Sequence, residues 1–525
     1  MMTDKKNYVI GTRGSLLAVT QSTQTKRKLE ALTGDHFELK FIETSGDQIS
    51  DIPLWQTPGK DFFTKELDRA LLAGEIDLVI HSYKDLGSER PSGIHLAAVT
   101  KRYHSQDIIF IKKETARNIS KLKEFVVGTS APRRTVNLKK NLHLILPLSD
   151  SSKLTIKVLR GNINSRIKKL QKGEYHAIVL AMAGVERLCE EAIFNEKVKA
   201  ELLEILDNLD FCILPQSLFP SAAAQGSLAI ECLKNRSDNN QLLLKIELLN
   251  DPQAMQEIAR ERKAFIEYGG GCHLAVGINV KKLDENFAHI HQGENNGIIS
   301  KSFLERKIPL PEKKSGRVFI GLPPGKKDQI ILKDFLEDQL IEKKSLIPQG
   351  VKLSGHLLCA VDYGMEHLIF DRDNTILWAA NITTMKKLAK RGYWCHGALD
   401  LEGEKSIADL INGPLLTFLA PNAPLKYTLL SHQEAQAVHK IGEVLPTYQR
   451  LINEQMLTKI KGKITQIEIF YWTSFFQYQT YLKYFPEIED KIHCCGLGKT
   501  YQSFKHAGIQ IYPFINMHEF YQWLS

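Results

Sequence analysis

The chain has 525 residues, of which 43% are hydrophobic and 25% are charged, as in soluble globular proteins with about three or four compact units. No apolar run approaches the roughly 20 residues that a membrane-spanning helix needs. Eight cysteines without a Cys-x-x-Cys pair argue against a zinc ribbon or a redox motif. The net charge of +9 is not gathered in one basic tail, so an acidic small molecule remains a candidate partner.

Short apolar strands alternate with helical patterns in the first 230 residues, which predicts an α/β fold with mainly parallel sheets. We expect strands at 8–10, 37–43, 76–80, 125–127, 156–159 and 177–181, and helices at 16–32 and 63–72. The polar stretch 284–316, which contains Gly and Pro, is interpreted as the end of one region and the link to the next. Strand and helix patterns return after it, with strands at 467–471, 492–495 and 509–513.

Three strand ends share one pattern: a glycine, small hydroxyl or amide side chains, arginines and a helix start. The sequences are GTRGS at 11–15, GTSAPRR at 128–134 and RGNINSR at 160–166. Free N–H groups at a helix start attract anions, and arginine grips carboxylates bidentately. One such loop alone is better explained as a capped helix; three of them predict an anion-binding cleft.

Two further segments could carry chemistry. The sequence HSYKD at 81–85 places Asp85 beside Lys84 at a strand end, where a carboxylate can stabilise a cation or move a proton. The sequence YGGGCH at 268–273 presents Cys272 on a glycine turn, as a possible nucleophile or attachment point. Taken singly, each also fits a plain structural role, as an exposed loop and a packed thiol.

Nine ordered motifs give a more specific interpretation, because together they resemble the hydroxymethylbilane synthase (porphobilinogen deaminase) family over residues 7 to 310. They are GTRGSLLA, TSGD, GKDFFTKELDRALL, HSYKD, VGTSAPRR, LRGNINSR, LAMAGVERL, PSAAAQGSLAIEC and YGGGCHLAVG. The resemblance implies an enzyme that joins four porphobilinogen molecules, releases four ammonia and hydrolyses the linear tetrapyrrole free. The many carboxylates of that chain would explain the arginine-rich loops.

The resemblance also implies roles for single residues. Cys272 would hold a dipyrromethane cofactor through a thioether. Asp85 would be the catalytic aspartate, which assists deamination and stabilises the positively charged intermediates. Contacts to the cofactor would come from Ser82, Lys84, Thr129, Ser130, Arg133, Arg134, Arg160 and Gly161. Contacts to the substrate would come from Arg13, Ser15, Lys60, Arg166 and Arg187. The loop 55–61 (WQTPGKD) departs from the family pattern, which puts its mobility and the turnover rate in doubt.

The implied architecture has two hinged domains like type-2 periplasmic binding proteins, a small α/β cofactor domain and a C-terminal α/β region. The predicted bounds are 1–101 with 211–234, then 102–210, 235–315 and 316–525. We expect a cytoplasmic monomer without metal, nucleotide, nucleic acid or membrane as partner.

The C-terminal region resembles uroporphyrinogen-III synthase, which closes the linear tetrapyrrole while inverting its last ring. The similarity lies in a strand followed by Thr-Ser and a helix, and in the GLGKTYQSF turn at 496–504. It implies carboxylate contacts from Thr473, Ser474, Thr500 and Tyr501. The alternative is a degenerate domain with a structural role only.

Two other classes of protein fit parts of the pattern. A hinged anionic-solute-binding protein would also carry hydroxyls and arginines at strand ends, but it would have a secretion signal and no need for Cys272. The effector domain of a transcription factor would need an attached DNA-binding helix pair, and none is recognised in the sequence.

Overall fold

The computed structural model describes residues 5–48, 63–271, 273–312, 317–323, 332, 334–347, 350–401, 403, 405–438 and 442–525. Five β-sheets with their helices organise these residues into three N-terminal domains and two C-terminal lobes. The mixed α/β class predicted from the sequence is confirmed. Among the helices that the structure describes, none combines the length and apolar character needed to cross a bilayer.

Domain 1 is built on a five-stranded sheet of order β2-β1-β3-β10-β4. Its strands are β1 (Asn7–Thr12), β2 (His36–Phe41), β3 (Leu78–Ser82), β4 (Ile94–Val99) and β10 (Leu228–Leu233). Its helices are α1 (Leu16–Thr33), α2 (Ser45–Gln48), α3 (Lys65–Leu72) and α9 (Gln241–Glu247). Helix α9 contributes Leu242 and Ile246 to the core of domain 1. Domain 1 therefore extends past residue 234, where we predicted its last segment to end.

Domain 2 repeats this arrangement with the order β7-β6-β8-β5-β9. Its strands are β5 (Asp107–Lys112), β6 (Glu124–Gly128), β7 (Lys153–Lys157), β8 (Ala177–Ala181) and β9 (Leu209–Ile213). Its helices are α4 (Lys113–Arg117), α5 (Pro132–Asn141), α6 (Ile163–Gln171), α7 (Met182–Ala192) and α8 (Glu196–Leu206). Two crossovers, 100–106 and 214–227, connect domains 1 and 2.

The two sheets are mixed rather than mainly parallel as predicted. Strand β10 is antiparallel to both neighbours in domain 1, and β5 is antiparallel to both neighbours in domain 2. Strand β5 directly follows the first crossover and β10 the second, so each of them enters its sheet from the opposite end to its neighbours. The predicted strand 156–159 lies three residues too late, because the chain leaves the sheet at Lys157 and Val158 is half exposed.

Domain 3 consists of helix α10 (Pro252–Glu267) against a three-stranded antiparallel sheet. The strands are β11 (Ala275–Leu283), β12 (Asn286–Glu294) and β13 (Ile298–Glu305). The stretch 284–316, which we expected to close one region and link it to the next, begins with β12 and β13, which complete the sheet of domain 3. The polar residues of β12, including His289 and His291, are buried in pairing with both neighbouring strands, which the composition alone did not indicate.

The C-terminal region forms two lobes, one inserted into the other. The inserted lobe has a six-stranded sheet, β16-β21-β20-β17-β18-β19. Its strands are β16 (Ile341–Ser345), β17 (Val351–Cys359), β18 (Leu368–Ala379), β19 (Gly397–Ala398), β20 (Tyr427–His432) and β21 (Glu443–Ile452). Its helices are α11 (Ile382–Lys390), α12 (Lys405–Ile411), α13 (Pro414–Leu419) and α14 (Ala435–Val438).

The terminal lobe has an all-parallel sheet, β15-β14-β22-β23-β24. Its strands are β14 (Arg317–Ile320), β15 (Phe335–Glu337), β22 (Ile467–Trp472), β23 (Ile492–Gly496) and β24 (Tyr512–Phe514). Its helices are α15 (Gln455–Ile464), α16 (Phe475–Tyr484), α17 (Lys499–His506) and α18 (Met517–Leu524).

The inserted lobe shares its core with domain 2. The backbone N–H of Ile213 at the end of β9 donates to the carbonyl of His396 beside β19 (2.8 Å), and the Trp394 indole donates to the carbonyl of Phe211 (3.1 Å). Trp378 is 1% exposed and packs in one hydrophobic cluster with residues of both units. The edges of the two sheets therefore meet over a common apolar core.

The terminal lobe contacts domain 3 instead. The carboxylate of Glu519 on α18 accepts from the backbone N–H of Leu304 (2.9 Å) and from Arg306 (2.8 Å). Arg306 also donates to the carbonyl of Pro513. The two lobes are thus attached to different N-terminal domains.

Candidate active site

A cleft of about 480 Å³ lies between domains 1 and 2, at the carboxyl ends of strands from both sheets. Its lining brings together ten of the residues singled out in the sequence: Arg13, Ser15, Ser82, Lys84, Asp85, Arg134, Arg160, Gly161, Arg166 and Arg187. Of the charged lining residues that the structure describes, six are basic and one, Asp85, is acidic. Such a cleft favours a ligand with several negative charges.

The first wall comes from domain 1. Ser15 caps helix α1 by accepting from the N–H of Ala18 (3.4 Å), which fixes the loop that carries Arg13. The Arg13 guanidinium lies 4.0 Å from the centre of the Phe63 ring. Ser82, at the end of β3, is held by the amide of Gln21 (2.8 Å). These contacts position the wall before any ligand binds.

Lys84 and Asp85 lie on the 3₁₀ turn Tyr83–Asp85, directly after β3. The Asp85 side chain is exposed to the cleft, whereas Lys84 is half-buried. Burial lowers the pKa of Lys84 to about 8, although the neighbouring Asp85 raises it. The cleft thus pairs an accessible carboxylate with an ammonium group that is easily deprotonated above neutral pH.

The second wall comes from domain 2. Arg166 donates through Nε to the carbonyl of Gly161 (2.7 Å), which uses one of its five N–H groups. Burial lowers the pKa of Arg166 to about 10, and the charges of Arg134 and Arg160 act in the same direction. Arg187 is 3% exposed and donates to the carbonyl of Gly226 (2.7 Å). Crowded cations of this kind are stabilised by an anionic ligand.

The second predicted loop behaves differently, because its arginines bind a buried carboxylate. Asp107, 1% exposed, accepts two hydrogen bonds from Arg133 (2.7 and 3.2 Å) and two from Arg134 (3.0 and 2.8 Å). Burial alone would raise the pKa of Asp107, but the two guanidinium groups hold it well below its usual range. Arg134 still lines the cleft, whereas Arg133 does not.

Thr129 and Ser130 support this loop rather than face the cleft. Thr129 accepts from the N–H of Ala131 (3.3 Å), and Ser130 donates to the carbonyl of Leu159. Neither residue lines the cavity. Their predicted contact with a cofactor therefore has no geometric support in this arrangement.

Two predicted residues, Lys60 and Cys272, lie outside the described residues. The turn that leads to Cys272 is described: Gly269, Gly270 and Gly271 all have positive φ (96°, 60° and 89°), which glycine adopts without strain. Helix α10, just before this turn, is tied to the loop after Asp85 because Arg262 donates to the carbonyls of residues 86 and 87 (3.1 and 2.7 Å).

Three of the four C-terminal candidates gather at the carboxyl edge of the terminal-lobe sheet. Ser474 caps α16, and the hydroxyl of Thr500 donates to the carbonyl of Thr473 (3.0 Å). Tyr501 instead lies near domain 3, because the next residue, Gln502, donates to the carboxylate of Asp284 there (3.0 Å). Burial raises the pKa of Tyr501. A second cavity, of about 620 Å³ at the junction of domain 2 and the inserted lobe, contains none of the predicted residues.

Sequence reasoning missed three residues that organise the cleft: Asp107, Gln225 and Asn162. Asn162 caps α6 by accepting from the N–H of Ser165 (2.9 Å), and its position in the loop 160–166 is a cap signal. Gln225 lies in the PSAAAQGSL motif. Asp107 gave no signal, because one acidic residue at a strand start is common.

One cluster could offer three metal ligands among the residues that the structure describes: Asp68, His81 and Glu231. The guanidinium of Arg90 occupies its centre, bound to Asp68 and to Glu231. The cluster is therefore a buried ion-pair network.

Comparison with a family profile and with curated proteins gives the same family for the N-terminal part of the chain. The family profile "Porphobilinogen deaminase, dipyromethane cofactor binding domain" matches residues 8–241. Two similar proteins are the porphobilinogen deaminases of Lachnospira eligens (38% identity, 53% of this chain, 85% of that protein) and Dictyostelium discoideum (32%, 59% and 90%). Among solved structures, the regulatory domain of OxyR2 from Vibrio vulnificus has a TM-score of 0.26 at 12% identity, covering 47% of this chain and 97% of that one.

Proposed function

Because the chain belongs to the porphobilinogen deaminase family, which carries a dipyrromethane cofactor, we propose that the cleft between domains 1 and 2 is where porphobilinogen units are joined into hydroxymethylbilane. The observation that carries the proposal is that the described lining has six basic residues and one carboxylate. Each pyrrole unit brings an acetate and a propionate, so the cleft must accommodate more negative charge with every addition.

The cofactor fits this cleft on two grounds. The cations Arg160, Arg166 and Arg187 offer N–H groups to its carboxylates, and the glycine turn before Cys272 is tied through α10 to the loop after Asp85. We propose Cys272 as the attachment point. When bound, the cofactor supplies the terminal pyrrole carbon to which the first porphobilinogen is joined.

Asp85 is proposed as the catalytic residue. In each addition the C–N bond of the aminomethyl group breaks, ammonia leaves, a C–C bond forms and the attacked pyrrole carbon loses a proton. Asp85 is the one carboxylate among the described lining residues, which supports it as the group that stabilises the substrate cation and accepts that proton. The arginines orient the carboxylates and take no part in proton transfer.

Intact mass measurement with peptide mapping tests the attachment. The peptide that contains Cys272 should carry the added mass of two linked pyrrole units. An unmodified Cys272 in protein that had been supplied with porphobilinogen would contradict the proposal. Asp85→Asn should retain the adduct but lower kcat by about 10²- to 10⁴-fold, and an unchanged kcat would remove Asp85 from the mechanism.

For the C-terminal region we propose a second activity, the closure of hydroxymethylbilane to uroporphyrinogen III. Two observations favour it. One lobe is inserted into the other, which leaves a junction between two sheets where Arg450 of the inserted lobe stacks on Phe476 of the terminal lobe (3.6 Å). Thr473, Ser474 and Thr500 lie at the carboxyl edge of a parallel sheet, where ligands of such sheets bind.

The alternative is a C-terminal region that only supports the deaminase, which the core shared with domain 2 favours. The two are distinguished by supplying porphobilinogen to the full chain and separating the isomers of the product. Uroporphyrinogen III in excess supports the second activity. The symmetric type-I isomer alone, at full deaminase rate, supports the structural alternative.

A further inference from the structure

The side chain of Gln225 occupies a central position behind the cleft. It is 1% exposed and lies on the crossover 214–227 that leads back into domain 1. Its amide nitrogen donates to the carbonyl of Ser105 on the other crossover (2.7 Å) and to Asp107 of domain 2 (2.9 Å). One side chain therefore joins both connections between the two domains.

The amide oxygen of Gln225 faces two cations. It accepts from the guanidinium of Arg133 (3.2 Å) and from the ammonium of Lys84 (3.4 Å). Lys84 belongs to domain 1 and Arg133 to domain 2. A neutral acceptor thus holds the Lys84 ammonium close to a cluster of two arginines and one aspartate.

The backbone around Gln225 is held as firmly as its side chain. Its carbonyl accepts from Arg102 (2.9 Å), and Gly226 adopts φ +104°, where a Cβ would come within 2.6 Å of the carbonyl oxygen of Tyr103. The N–H of Ala224 donates to the buried carboxylate of Glu261 (2.7 Å). The amide group consequently has little freedom to follow Lys84 if that side chain moves.

We propose that Gln225 is a positioning residue of the deaminase reaction: it fixes the Lys84 ammonium at the cleft wall, beside Asp85, by anchoring it to the Asp107 cluster of domain 2. The proposal rests on the deaminase function. Lys84 then meets a substrate carboxylate at a defined place and in its charged form.

The charge around Lys84 makes this anchoring consequential. Asp85 and Asp107 favour the charged lysine, whereas Arg133 and Arg134 disfavour it. Without the Gln225 oxygen, the Lys84 ammonium still lies near the positive charges of the two arginines but has lost its neutral hydrogen-bond acceptor. The charged form of Lys84 is then less favoured, so the pKa of Lys84 should fall and a larger fraction of the side chain should be uncharged at neutral pH.

Gln225→Met and Gln225→Glu test the proposal on the full chain with its cofactor attached, with Gln216→Met as matched control. Gln216 is 5% exposed, lies on the same crossover and donates to the Ser105 hydroxyl (3.0 Å), but it does not contact Lys84. We expect Gln225→Met to lower kcat about 10- to 100-fold while its thermal midpoint matches that of the control.

The pH profile separates positioning from stability. The alkaline limb of kcat/KM should lie near the Lys84 pKa of about 8 in the parent, move lower in Gln225→Met and move higher in Gln225→Glu, where a carboxylate replaces the amide. A limb that stays in place in both variants, or a kcat equal to that of Gln216→Met, would overturn the proposal. A parent protein without turnover of porphobilinogen would instead refute the deaminase function itself.

Discussion

Replacement of Asp107 by asparagine should destabilise domain 2 far more than its single lost charge suggests. The carboxylate accepts five hydrogen bonds, four from Arg133 and Arg134 and one from Gln225. Asparagine has nearly the same shape, but its amide NH₂ group replaces one acceptor oxygen and would face the N–H donors of the arginines. Two buried guanidinium groups, 7% and 8% exposed, would lose their counter-ion.

The expected loss follows from that geometry. Removing one partner of a buried ion pair costs about 3–5 kcal/mol, because the remaining charge stays desolvated. Asp373→Asn is the matched control, since Asp373 pairs with Arg117 at the surface, where both side chains are about half exposed. Such surface pairs contribute about 0–1 kcal/mol.

Urea unfolding followed by circular dichroism, together with the urea dependence of deaminase activity, measures both variants. We expect the activity of Asp107→Asn to disappear at clearly lower urea than that of Asp373→Asn. If the free energies of unfolding of the two variants agree within about 1 kcal/mol, the Asp107 cluster does not hold the second wall of the cleft.

Three further outcomes are expected. Gly226→Ala should lower the free energy of unfolding by about 2 kcal/mol, because the residue has a positive φ and its new Cβ would meet the Tyr103 carbonyl. Gly462→Ala is the control: its Cβ would meet nothing within 4 Å, so the thermal midpoint should stay unchanged or rise. Equal midpoints of the two variants would contradict this prediction. Burial lowers the pKa of His291 to about 4, so the unfolded chain binds a proton that the folded chain does not bind between about pH 6.5 and pH 4. The free energy of unfolding should therefore fall by up to roughly 3 kcal/mol as the pH drops through this range. His291→Leu should flatten this pH dependence, and an unchanged slope would refute the prediction. Truncation after residue 315 should expose the domain 2 side of the shared core, including Phe211 and Ile213, and so lower the yield and the thermal midpoint of the deaminase. Full stability of the truncated chain would show that the shared core is dispensable.

The sequence was informative where a local pattern determines local structure. Strand β3 and the HSYKD turn were predicted because an apolar run ends abruptly in polar residues, and the three Gly-Arg loops were predicted from cap residues. Their meeting in one cleft follows from the carboxyl-edge rule for α/β sheets. Ten predicted residues consequently line the same cavity.

The remaining features depend on contacts distant in sequence. Arg133 was predicted to bind a ligand, yet Asp107, 26 positions earlier, takes its guanidinium. The polar residues of β12 gave no strand pattern in the sequence, because their burial depends on pairing with β11 and β13. Tyr501 follows a plausible turn, but its helix faces domain 3, where Lys505 pairs with Asp284 (3.2 Å). No local pattern contains these partners.

The separate attachments of the two C-terminal lobes have a mechanical consequence. The inserted lobe moves with domain 2, because they share a core and a backbone hydrogen bond between Ile213 and His396. The terminal lobe moves with domain 3, through Glu519 and Arg306. Any rotation of domain 2 against domain 3 must therefore change the angle between the lobes. If the cleft between domains 1 and 2 widens as its product grows, the junction between the two C-terminal lobes would open or close at the same time. No ligand needs to bind at that junction for this change to occur.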